Sequence, residues 1–71
     1  MYVVLEVDRP ADPDRAVVLT PFLDQHEAVS YVVRKTMSKL AWGRDRVVEQ
    51  IECGHAICEG SWSISLEIMP L

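Results

Sequence analysis

The amino-acid sequence predicts a single α+β domain over residues 1–71, ordered β-β-α-β-β, in which one helix packs on one face of a four-stranded antiparallel sheet. Three observations carry that prediction. The chain has 71 residues, 49% hydrophobic and 25% charged, which is enough for one compact core and too little for a second domain. An amphipathic helical stripe occupies its middle. Strand-like alternation flanks that stripe on both sides.

The first element is "YVVLEVD", residues 2–8, rich in β-branched side chains, with Val3, Leu5 and Val7 on one face and Glu6 and Asp8 on the other. The segment "RPADPDR" that follows cannot continue a sheet interior, because its prolines remove ladder donors. It reads as a loop. "AVVLT", residues 16–20, then reads as a second strand, antiparallel to the first because the connection is too short for a parallel crossover.

The helix begins at Asp24, an N-cap with Glu27 as its capping-box partner and Leu23 placed to staple against Ala28. Its apolar stripe is Val29, Val32, Val33, Met37, Leu40 and Ala41, and Gly43 supplies the stop. Beyond it, parity places Val47, Ile51, Cys53, His55 and Ile57 on one face of a strand. Trp62, Ile64, Leu66 and Ile68 share a face of the next, against Ser61, Ser63, Ser65 and Glu67. A reversal at Glu59-Gly60 pairs Ile57 with Trp62 and Cys53 with Leu66 in one long hairpin, with both apolar sets on the buried side.

The stretch "ECGHAICEG", residues 52–60, gathers Cys53, His55 and Cys58, three residue types that bind metals. In this register Cys53 and His55 point into the core and Cys58 points away, so the three do not converge. No metal or other cofactor is expected, and the thiols are expected to be free. No Ser/His/Asp set, phosphate-binding glycine loop or paired carboxylates stand out, so the chain reads as a non-enzyme. No apolar run approaches the roughly 18–20 residues that span a bilayer, and "MYVVLEVDRP" lacks the features of a signal peptide, which predicts a cytoplasmic protein.

The formal charge of −4 is unevenly distributed. Arg34, Lys35, Lys39, Arg44 and Arg46 stand against Asp45 alone between residues 34 and 46, while the rest of the chain sets ten acids against Arg9 and Arg15. The basic group suggests a nucleic-acid contact, with Trp42 available to stack on a base. The acids suggest the opposite: Glu6, Asp8, Asp12 and Asp14 on the first strand and its loop, and Glu49, Glu52, Glu59 and Glu67 on the last hairpin, where Glu52 and Glu67 face each other.

In size, acidity and α+β build the chain resembles the small phage-encoded inhibitors of bacterial defence, including anti-CRISPR proteins; the resemblance spans the whole chain and carries no residue signature. It implies an inhibitor in the host cytoplasm that docks its acidic surface on a basic, nucleic-acid-binding surface of a protein partner such as a Cas effector subunit, acting as a DNA mimic. The alternatives are a small nucleic-acid-binding or regulatory module using the basic patch, and a structural homodimer formed through sheet edges, Tyr2 or Trp42.

Overall fold

The computed structural model describes residues 1–8 and 16–70. It is a small α+β domain in which strands β1 (Tyr2–Asp8), β2 (Ala16–Phe22), β3 (Ile57–Glu59) and β4 (Trp62–Ile68) form one antiparallel sheet of order β2-β1-β4-β3. Two helices, α1 (Gln25–Lys39) and α2 (Arg44–Glu52), lie on one face of it. The expected segment of residues 9–15 falls outside the described residues.

The phase of the sheet is set by β4. Its alternation turns Trp62 and Ile64 into the core, and Leu66 packs against them. Residues directly opposite in a ladder share a side, and β4 pairs Trp62 with Asp8, Ile64 with Glu6 and Leu66 with Val4. The helix-covered face of β1 is therefore Tyr2, Val4, Glu6 and Asp8, not the Val3, Leu5 and Val7 face that alternation alone favours. Those three lie on the side without helices, beside Pro21, Leu19 and Val17 of β2 and Glu67, Ser65 and Ser63 of β4.

Helix α1 starts where the sequence places it: Asp24 is extended, and its carboxylate accepts from the His26 backbone N–H at 3.0 Å. The staple is not made, since Leu23 is 81% exposed. The buried residues of α1 are Ala28, Val32, Val33 and Thr36, whereas Met37 is exposed. The Thr36 hydroxyl is buried without a hydrogen-bond partner among the described residues, a cost the surrounding apolar contacts must offset. The helix ends at Lys39, before Gly43.

The second helix replaces the first half of the expected long hairpin. Gly43 is the N-cap of α2 rather than a stop for α1, and Val47 and Ile51 turn into the core four residues apart, as helical geometry requires. Glu49 explains why a strand fails here. It shares the parity of Val47 and Ile51 and would carry a carboxylate into the buried face. Helix α2 closes with a Schellman motif: Gly54, at φ +81°, donates to the Ile51 carbonyl, and His55 donates to that of Gln50, both at 3.0 Å.

Strand β3 is consequently only three residues long. Glu59 pairs with Trp62 across a two-residue turn, Gly60-Ser61, so Ile57 meets Ile64, two residues away from the expected partner but on the expected side. Gly60 has φ +58° and Ser61 does not share a positive φ, the pattern of a type II′ turn.

Candidate functional site

Cys53, His55 and Cys58 were the first candidates for chemistry. Cys53 caps α2, His55 follows the Schellman glycine and Cys58 lies mid-β3; the two thiols are unbonded, and all three residues are exposed. The expected inward burial of Cys53 and His55 fails because the backbone there is a helix terminus and not a strand. Among the described residues no three His, Cys, Asp or Glu side chains converge to hold a metal.

The acidic residues are dispersed. Glu6 lies on the helix-covered face, where its carboxylate accepts from Trp62 Nε1 at 2.7 Å and sits 4.0 Å from Lys35 Nζ. At 14% side-chain exposure it is committed to the fold. Asp8 ends β1; Glu49 and Glu52 are exposed on α2; Glu59 ends β3 on the helix side; Glu67 is exposed on the opposite side of the sheet. Glu52 and Glu67 do not face each other, because Glu52 is helical and Glu67 pairs with Val3. Asp12 and Asp14 lie outside the described residues.

Of the described basic residues, three are engaged by aromatic rings. Lys35 Nζ lies 5.7 Å from the Tyr31 ring centre, Lys39 Nζ lies 5.9 Å from that of Trp62, and the Arg46 guanidinium stacks 3.7 Å from that of Trp42. Trp42 is half-buried against the core, as a lid. Arg34 and Arg44 are exposed. Tyr31, Arg34 and Lys35 line a shallow groove of about 240 Å³ on α1. The groove lies on the β2 side of that helix, since Tyr31, which lines it, packs on Phe22 of β2 with ring centres 5.4 Å apart.

No known protein family, characterised protein or solved structure matches this chain.

What the geometry does assemble is a free sheet edge. Met1 and Met69 exchange both backbone hydrogen bonds, Met69 N–H to the Met1 carbonyl at 2.8 Å and the Met1 amino group to the Met69 carbonyl at 3.0 Å. Hydrogen-bonded pairs recur at every second residue of an antiparallel ladder, so the odd residues of β1 bond to β4 and its even residues bond to β2. The N–H and C=O groups of Val17 and Leu19, and the C=O of Pro21, therefore point away from β1. Among the described residues no strand lies beyond β2. Pro21 fits that arrangement, because an outward position on an edge is where a strand tolerates a missing donor.

The edge is also apolar and uncharged. "AVVLTPF" has no ionisable side chain, and Val17, Val18 and Leu19 are 51%, 49% and 63% exposed. Val17 and Leu19 continue the helix-free face of Val7 and Leu5, while Val18 turns toward the α1 groove. Sequence reasoning passed over this site. Two signals were present: Pro21 inside a β-like run, and the lack of any charge in that run.

Proposed function

We propose that this protein acts by binding another protein, and that it does so by taking an extended segment of its partner onto the free edge of β2 as a fifth strand. The observation that carries the reading is the outward-pointing backbone at Val17, Leu19 and Pro21, flanked by half-exposed valine and leucine side chains. Main-chain hydrogen bonds would give such a complex its affinity, and alternate side chains its specificity. The anti-CRISPR-type reading, docking on a Cas protein through one acidic surface, finds less support, because the described acids are spread over both faces of the sheet and α2, with Glu6 held by Trp62. Binding to a protein is common to both readings.

The test is selection of unbiased decapeptides displayed on phage against the immobilised protein, followed by measurement of the enriched peptides on Leu19→Pro and Val17→Lys variants. Leu19→Pro removes an outward donor while the N–H groups that bond β1 stay in place. Enriched peptides should read as extended segments and should lose about tenfold or more in affinity on Leu19→Pro, with the circular dichroism of the variant unchanged. Val17→Lys, a milder change, guards against misfolding of the proline variant and should also weaken binding. Equal affinity for the wild type and both variants would refute the edge as the site.

A further inference from the structure

Resting on that reading of β2, we infer that the segment it receives is acidic, with carboxylates at alternate positions on the helix side and apolar residues at the positions between. An added strand lies about 4.8 Å beyond β2, and its side chains alternate between the two faces of the sheet. On the helix-free face they would extend the row of Leu5, Leu19 and Val17, which is apolar. On the other face they would lie beside Val18 and along the groove lined by Tyr31, Arg34 and Lys35.

That groove already shows its chemistry within the fold. Glu6, two positions inward across the sheet on the same face, places a carboxylate oxygen 4.0 Å from Lys35 Nζ, while its neighbours Leu5 and Val7 lie on the helix-free side. Strand β1 therefore carries the alternation expected of the incoming segment, with an acid toward α1 and apolar residues away from it. Arg34 is exposed and has no ion-pair partner among the described residues, which leaves a guanidinium for a second carboxylate.

The same charges argue against a second copy of this chain as the occupant. Antiparallel pairing of β2 with itself requires a two-fold axis normal to the sheet. Both α1 helices would then lie on one face, with Arg34 and Lys35 of each copy turned toward the axis. Like charges meet there, whereas an acidic segment meets opposite ones.

The experiment uses the whole chain and three N-acetylated, C-amidated decapeptides, in which valine alternates with glutamate, glutamine or lysine. Chemical shifts of the backbone amides are followed in each titration, together with light scattering of the free protein. The valine-glutamate peptide should perturb Val17, Val18 and Leu19, bind at least about fivefold more tightly than the valine-glutamine peptide, and weaken with salt. Arg34→Glu should remove that preference, and Lys35→Gln should reduce it in part. Equal binding of all three peptides at β2 would overturn the acidic assignment and leave the edge reading intact. Peptides that bind with no perturbation of β2, or that bind Leu19→Pro as well as the wild type, would overturn the edge reading itself. A dimer in the free protein that Leu19→Pro dissociates would assign the edge to a second copy and overturn the proposal.

Discussion

The two edges of the sheet are treated in opposite ways. On one side, β3 is three residues long, ends at Glu59 in a tight turn and touches α2, so few backbone groups remain to template another strand. On the other, β2 runs for seven residues without a charge, and its odd residues direct their backbone groups outward. Short strands and charges are ordinary ways of blunting an edge. The chain uses both at β3 and neither at β2, and on the reading proposed above this separates stability from recognition: one edge secures the core and the other is open to a partner.

That division can be broken first in the core beneath β3. Ile57 and Ile64 are paired across the β3–β4 hairpin at 1% and 0% exposure. Ile57→Ala, in the edge strand β3 itself, should cost about 2–5 kcal/mol, read as a large fall in the urea midpoint of unfolding. A small loss would mean that the blunted edge is not the stabilising one. Gly60→Ala is expected to cost about 1–2 kcal/mol, because a left-handed φ of +58° is unfavourable for alanine while no atom lies within 4 Å of the added methyl. A neutral result would show that the type II′ turn does not hold β3 in place. The smallest effect belongs to the open edge. Leu19→Lys should change stability by no more than about 0.5 kcal/mol while weakening peptide capture, and a loss of about 2 kcal/mol or more would place Leu19 in the core of the fold.

Several elements were legible in the sequence for identifiable reasons. Strand β4 declares itself because apolar residues occupy one of its faces and serine most of the other, so its alternation is unbroken, although only Trp62 and Ile64 of that apolar face are buried and Ile68 is exposed. Helix α1 is announced by Asp24 and by valines at helical spacing. Helix α2 was missed because "RDRVVEQIE" is too short for periodicity to speak clearly, and Val47 and Ile51, four apart, satisfy a strand and a helix equally. Glu49 was the discriminating residue. Gly54 supplies the left-handed residue that ends a helix.

The candidate site was less legible because it depends on strand order. Whether β1 or β2 forms the edge decides whether "AVVLTPF" is a buried strand or a free one, and nothing in those residues alone settles it except Pro21, which an inner strand would reject. The face on which Glu6 falls is likewise dictated from a distance. It follows from the pairing of β1 with β4, 56 residues along the chain at the Trp62–Glu6 contact.

The type II′ turn at Gly60-Ser61 and the brevity of β3 have a further consequence for behaviour at high concentration. Head-to-tail growth into a filament needs two complementary open edges on every copy, one to offer and one to accept. Among the described residues this sheet offers a full-length edge on one side alone; on the other, Cys58 of β3 and, beyond the end of β3, Leu66 and Ile68 of β4 keep backbone groups unclaimed by a neighbouring strand. The sheet therefore lacks, among the described residues, the second full-length edge that head-to-tail growth of copies into a fibre requires.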